Sequence, residues 1–352
     1  MQSAKVYKSQ LDSLRLIAFL VVFVRHSLLD YADLGFGGVR LFFAISGFVI
    51  TRVLLQGEST SIRNNLKTFY ARRVLRIFPL YYLVITGLLI FQKLPYAAWF
   101  YTYLANLKIY SLAQWHSPLT FPLWTLCVEE QFYMLFPPLL LLTPKAERGY
   151  VIGILIVATM TCRLLLSAIG PDRSYDVLVI SSGQFILWGC LACIIDTKVP
   201  SKTLNGTFVF FVGVVLLSLI YGWDWFSIPS PILEAFWRHN IRDAYHHCTF
   251  TALAISFACI VFGLWRTENR LLLKIFKLPP LVYLGRISYG LYMFHVLVLS
   301  LITWIFGDQC PWGRAIAGLA ITIGISALSW HFFESPILKL KRFFPYEEAV
   351  EQ

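Results

Sequence analysis

Charged residues are scarce in this sequence. They fill 14% of its 352 positions, against about 25% in soluble domains. Acidic residues are scarcer still, 19 against 30 basic, which leaves a net charge of +11. So little charge excludes a soluble globular protein. With 58% hydrophobic residues and a mean hydropathy of +0.66, the composition is that of a polytopic membrane protein. Cysteines number only seven, and Cys162, Cys190, Cys193 and Cys259 lie inside apolar runs, so they make no disulfide framework. The Cys190 and Cys193 pair is CxxC in spacing alone and reads as packing. A small-residue cleavage site is also missing from the first apolar run, whose two arginines mark it as a retained anchor and not a secretory signal.

Apolar runs near the 20 residues that a bilayer requires fall at about 11–29, 38–56, 77–94, 122–142, 150–170, 178–196, 205–222, 247–265, 281–306 and 313–333. The expected fold is therefore all-α, a membrane bundle of about ten transmembrane helices. Residues 1–10 and 343–352 would form tails on either side of a membrane domain at 11–342. Ten spans put both termini on one side. Nineteen of the thirty basic residues, among them Arg52, Arg72, Arg73, Arg76, Lys145, Arg266 and Lys341, fall on that side, and six on the other. The positive-inside rule makes the crowded side cytoplasmic. It also accounts for the charge without nucleic acid. Five arginines, Arg15, Arg25, Arg40, Arg163 and Arg286, lie inside spans or at their edges and need a reason.

The stretch Leu11 to Thr51 carries the densest signal. Arg15 and His26 are eleven positions apart, which brings them within about 20° of one helix azimuth at depths differing by roughly 16 Å. Both can line one cavity. Arg25, about 100° off that face, reads as a snorkelling or acceptor-side residue. Gly35, Gly37 and Gly38 suggest a turn before the second span. Ser46, beside Gly47, serves either close helix packing or as a hydroxyl that orients a cavity group.

Arg72, Arg73 and Arg76 precede the third span, with Pro79 placed to kink or start it. They are either topological flanking charge or a phosphate site; Arg73 and Arg76, at i and i+3, share a helix face. Glu129 and Glu130 are adjacent carboxylates in an otherwise apolar span, so one can face a cavity while the other pairs elsewhere. His26 and the buried arginines are candidate partners. Arg163 and Gln184 read as helix-to-helix contacts. Ser288, Tyr292 and His295 form a polar stripe facing the bundle interior, and Glu334 is placed to neutralise an arginine of the basic loop, a structural role. Trp99, Trp115 and His116 read as interfacial belt first. Trp223 and Trp237 lie in an outer segment rich in aromatic and acidic residues, either a sugar platform or an interfacial helix. His239, Asp243 and His246 have zinc-like spacing but no fourth ligand, so no metal is expected.

The blocks LDSLRLIAFLVVFVRH, GVRLFFAISGFVIT, YARRVLRIFPLYY, PLWTLCVEEQFYMLFP, LGRISYGLYMFH and HFFESPILKL, taken in order, resemble the membrane-bound acyltransferase-3 family over about 11–342. The resemblance implies a ten-span core that transfers an acyl group, usually acetyl from cytoplasmic acetyl-CoA, to an extracytoplasmic or lipid-linked acceptor, often a sugar hydroxyl of a surface polysaccharide. The family's R-x10-H motif falls on Arg15 and His26, its RxxR motif on Arg73 and Arg76, and its paired glutamates on Glu129 and Glu130. Some members carry a C-terminal hydrolase-like domain. This sequence ends at Gln352, so the core is expected to act alone or with a separate protein. Cys127 stands where small residues are common; as a buried thiol it holds little thiolate for acyl chemistry.

On this reading acetyl-CoA enters from the cytoplasm with its phosphates on Arg73 and Arg76, helped by Arg72 and Ser46. His26 takes the acceptor proton or briefly carries the acetyl group. Glu129 or Glu130 orients His26, and Arg15 holds the donor arm or offsets the oxyanion. Tyr133, Tyr292, His295, Trp223 and Trp237 are the candidate acceptor contacts. The expected location is a bacterial inner membrane. The rival is a transporter or flippase of a lipid-linked sugar, but no repeated halves with broken helices are visible.

Overall fold

A computed structural model of the chain describes residues 7–28, 34–59, 61–91, 93–114, 117–169, 173–200, 203–226, 242–307 and 310–346. Among these the secondary structure is helical, with no strand. In order the helices are α1 (Gln10–Leu28), α2 (Leu34–Gln56), α3 (Ile62–Ile90), α4 (Ala97–Tyr101), α5 (Ala105–Leu112), α6 (Leu123–Leu142), α7 (Arg148–Ile169), α8 (Val179–Lys198), α9 (Gly206–Phe226), α10 (Arg242–Arg266), α11 (Arg270–Phe276), α12 (Pro279–Arg286), α13 (Ser288–Phe306), α14 (Pro311–Ser329) and α15 (Ser335–Leu338). By length and composition, seven helical segments of the described residues can cross a membrane: those of α2, α3, α7, α8, α10, α13, and α14 with its continuation to Phe343. The other three expected runs fall on α1, α6 and α9, of 19, 20 and 21 residues.

Three expected boundaries differ, each for a local reason. α2 begins at Leu34, so Gly37 and Gly38 belong to the helix and not to a turn before it. At Gly38 a Cβ would lie 2.4 Å from the Ala18 carbonyl oxygen of α1, so glycine is what allows the two helices to touch. α3 starts at Ile62, where Ser61 accepts a hydrogen bond from the Asn64 amide, and runs through the basic cluster, leaving Pro79 well inside the helix. The run at 281–306 is two helices, broken at Ile287. The Arg286 carbonyl freed there accepts a hydrogen bond from Arg76 Nη2 at 3.1 Å, a cation on a helix C-terminus.

α2, α8 and α10 form the centre of the bundle, while α3, α7 and α14 lie outside it. Gly47 of α2 sits so close to α8 that a Cβ would approach the Ile186 carbonyl oxygen to 1.9 Å. Large apolar side chains such as Leu83, Ile90, Ile154, Phe208, Trp304 and Ile316 are exposed on the outer helices, the surface that lipid covers. Several charges inside the bundle are paired. Asp196 of α8 binds Arg52 at 2.8 Å and Arg266 at 2.6 Å, tying α8 to α2 and α10. Arg148 pairs with Glu58, and Arg163 with Asp176 and with Ser181 at 2.9 Å. Arg163 thus makes the expected interhelical contact. Gln184 is buried, and its amide has no hydrogen-bond partner among the described residues.

Candidate active site

A cavity of about 170 Å³ opens among α1, α2, α3, α6 and α13. Arg15, Arg73, Arg76 and Glu129 give it charge, Ser46, Thr125, Ser288, Tyr133, Tyr289 and Tyr292 give it hydroxyls, and Val39, Phe42, Phe43, Ile77 and Leu126 make its apolar wall. The charged groups come from three helices, Arg15 from α1, Arg73 and Arg76 one turn apart on α3, and Glu129 from α6. Arg15 forms an ion pair with Asp12 at 2.8 Å, one turn back along α1. Arg76 lies 3.8 Å from Glu334. That carboxylate is turned inward by a π-helical turn, Trp330–Glu334, at the end of α14, and accepts a hydrogen bond from Ser329 at 3.2 Å. Wide turns of this kind recur at functional sites. Arg73 lies 4.9 Å from the centre of the Tyr133 ring and forms no ion pair among the described residues.

Ser46 and Tyr133 both hydrogen-bond the Glu129 carboxyl, at 3.1 and 2.9 Å, and each other at 2.6 Å. Ser46 is thus the hydroxyl that orients a cavity group, while its neighbour Gly47 makes the helix contact. Glu130, about 100° around α6, does not line the cavity. One of its carboxyl oxygens is buried with no hydrogen-bond partner among the described residues.

Neither glutamate hydrogen-bonds His26. The partner of His26 is His295 of α13: His26 Nδ1 and His295 Nε2 are 2.9 Å apart, with the rings stacked at 5.1 Å between centroids. His295 Nδ1 lies 2.7 Å from the Tyr292 carbonyl oxygen. A carbonyl only accepts, so His295 Nδ1 carries the hydrogen, and in a neutral ring its Nε2 is then an acceptor. His26 Nδ1 must therefore donate. This leaves the lone pair on His26 Nε2, the tautomer a general base needs. Phe19 packs edge-on against His295 at 5.8 Å, and His295 is fully buried.

Tyr292 joins the two halves of the site. Its hydroxyl lies 3.0 Å from Thr125 Oγ1 and its ring meets Phe42 edge-on at 5.9 Å. Its carbonyl holds His295, three residues on, about 4.5 Å further along the helix.

Of the expected site residues, the fold brings Arg15, Ser46, Arg73, Arg76, Glu129, Tyr133 and Tyr292 around one cavity. His26 and His295 lie beyond its Tyr292 wall. Arg72 is elsewhere: its guanidinium donates to the Phe344 carbonyl at 2.8 Å and lies 5.1 Å from the Tyr346 ring. Arg25 lies over Phe36 at 4.3 Å. Trp115, His116, Trp237 and His239 lie outside the described residues, as do the side chains of Trp223 and Asp243. No cluster of three or more possible metal ligands occurs among the described residues. Sequence reasoning missed Thr125, Tyr289 and Asp12, the partner of Arg15; Glu334 was expected beside an arginine of the basic loop, and that arginine is Arg76. It also read His295 as an acceptor contact. The signal for His295 was available, since it is the one histidine besides His26 well inside an apolar run.

The profile of a family described as an acyltransferase domain, acyltransferase-3, matches residues 8–331. The chain belongs to that family. A peptidoglycan O-acetyltransferase, OatA, of Listeria monocytogenes is 27% identical over 96% of this chain and 56% of its own length. YrhL of Bacillus subtilis, named as a candidate peptidoglycan O-acetyltransferase, is 28% identical over 94% of this chain and 55% of its own. A candidate O-acetyltransferase of Staphylococcus aureus is 28% identical over 95% and 58%. The chain thus spans little more than half the length of these acyltransferase-3 relatives. No solved structure matches it.

Proposed function

We propose that this acyltransferase-3 chain is an integral membrane O-acetyltransferase. It moves an acetyl group from cytoplasmic acetyl-CoA to a hydroxyl of an extracytoplasmic or lipid-linked glycan. The names of the relatives favour a peptidoglycan-like acceptor. The observation that carries the reading is a histidine pair with a free Nε2 standing one helix turn beyond a cavity lined by three arginines.

Each part of the site then has a task. Arg73 and Arg76 hold the donor phosphates, and guanidinium forks suit that geometry. Arg15, fixed by Asp12, faces the donor arm. The apolar wall of Phe42, Phe43 and Leu126 takes the acetyl end, which is small enough for a cavity of about 170 Å³. His26 Nε2 removes the proton of the attacking hydroxyl, or accepts the acetyl group first and passes it on. As His26 becomes an imidazolium, its Nδ1–H goes on donating to His295 Nε2, whose lone pair stabilises the charge. In this reading all ten apolar helices span a bacterial inner membrane with both termini in the cytoplasm. The donor enters from that side and the acceptor from the other, meeting at Tyr292.

The test is mass spectrometry of the surface glycan from cells carrying the wild-type protein or His26→Ala. The O-acetyl ester should be present with the first and absent with the second; undiminished acetylation with the variant would sink the reading.

A further inference from the structure

The cavity contains one arrangement that the transfer described above leaves unused. Ser46 Oγ, Tyr133 Oη and the two Glu129 carboxyl oxygens close a ring of three contacts, at 3.1, 2.6 and 2.9 Å. Oxygen–oxygen separations of this size are hydrogen-bond lengths, and each needs one hydrogen between its atoms. Serine and tyrosine supply one each. An ionised glutamate supplies none, so one contact would set two lone pairs against each other. A carboxylic acid supplies the third, and the hydrogens then run head to tail around the ring. We infer that Glu129 is held as a neutral acid by Ser46 and Tyr133 and gives its proton to the sulfur that leaves the acyl donor.

The charges facing Glu129 fit this role. Arg15 is engaged by Asp12 and Arg76 by Glu334, at 2.8 and 3.8 Å. Arg73 rests on the rings of Phe69 and Tyr133, at 5.5 and 4.9 Å, and none of the three forms an ion pair with Glu129. Glu130 is the next residue along α6, so two carboxylates side by side would repel. Donor phosphates bound by Arg73 and Arg76 reduce the positive field on Glu129 further, so it keeps its proton until the thioester breaks.

The inference rests on the proposed thioester donor. The acceptor oxygen forms a bond to the acetyl carbon, and its proton goes to His26 Nε2. The carbon–sulfur bond breaks with its electron pair on sulfur, and the Glu129 proton goes to that sulfur, leaving a free thiol. Glu129 is left ionised near Arg73 and His26 is left as an imidazolium; transfer of one proton from the histidine to the carboxylate through water restores both. A thiolate released among apolar side chains would instead be an unpaired buried charge, which is costly.

Two measurements on the purified full chain in lipid nanodiscs test this. Infrared difference spectra between Glu129→Gln and wild type at neutral pH should show loss of a protonated-carboxyl carbonyl band, and Ser46→Ala should shift the same band. A wild-type spectrum in which every such band belongs to Glu130, as judged by Glu130→Gln, would overturn the inference. The second measurement compares acetyl transfer from two thioesters, of N-acetylcysteamine and of nitrothiophenol, whose thiolate leaves without a proton. Glu129→Gln should lose about a hundredfold with the first, in the range of general-acid effects, and less than about tenfold with the second. Equal losses with both would overturn the proton transfer while leaving the acyltransferase reading intact. Wild-type protein that transfers from neither thioester nor from acetyl-CoA would overturn both.

Discussion

At the scale of single residues, the site is governed by hydrogen bonds whose direction is fixed by atoms that can only accept. The Tyr292 carbonyl sets the tautomer of His295, which sets that of His26. Replacing His295 therefore tests a positioning role. In His295→Gln the side-chain oxygen can still accept from His26 Nδ1, whereas His295→Ala leaves that hydrogen unpaired among apolar groups. Acetyl transfer should fall by less than about tenfold in the first and by about 10² to 10³ in the second, within the range for a positioned base. Loss of equal size in both, with unchanged thermal stability, would show that the ring and not its acceptor atom matters. Charge reasoning along the sequence singled out groups that the fold brings near one cavity, but expected a glutamate on His26 where the structure has His295. A carboxylate is the expected orienter of a histidine, and Glu129 is a half-buried carboxylate on an apolar helix. His26 instead meets a ring 269 positions away, a pairing that depends on how α1 packs against α13 and that no local spacing encodes.

At the scale of elements, two devices set the cavity: close helix contact and irregular helix ends. Gly47 lets α2 lie against α8 with Ser46 turned to the cavity. A leucine there has no room, since even a Cβ would come within 1.9 Å of a carbonyl oxygen. Gly47→Leu should cost about 3 kcal/mol, at the upper end of overpacking penalties, and should be visible as a lowered melting temperature in detergent; an unchanged value would contradict the packing. The π turn at the end of α14 and the break at Ile287 deliver Glu334 and the Arg286 carbonyl to Arg76. The ten apolar runs, and the stripe that buries Ser288, Tyr292 and His295, could be read from hydropathy and period. These irregular ends could not, because 281–306 and 313–333 are continuous apolar runs. Their breaks answer to a guanidinium on another helix.

At the scale of the whole molecule, three arginines from two helices line one cavity, with the histidine pair beyond its Tyr292 wall. If the cluster serves the donor, Arg73→Ala combined with Arg76→Ala should weaken acetyl-CoA binding about a hundredfold, taking roughly 1.5 kcal/mol for each charge-assisted bond. An unchanged dissociation constant by calorimetry would make the cluster topological. The central claim is that one continuous route leads from this cavity to His26 Nε2. It is tested most directly with purified protein in sealed proteoliposomes, given labelled acetyl-CoA on the side of the termini and a glycan acceptor on the other. The account predicts labelled acetyl ester on the enclosed or external glycan opposite the donor, and its loss by at least about 10² in His26→Ala. Label reaching the glycan at the wild-type rate in that variant would contradict it.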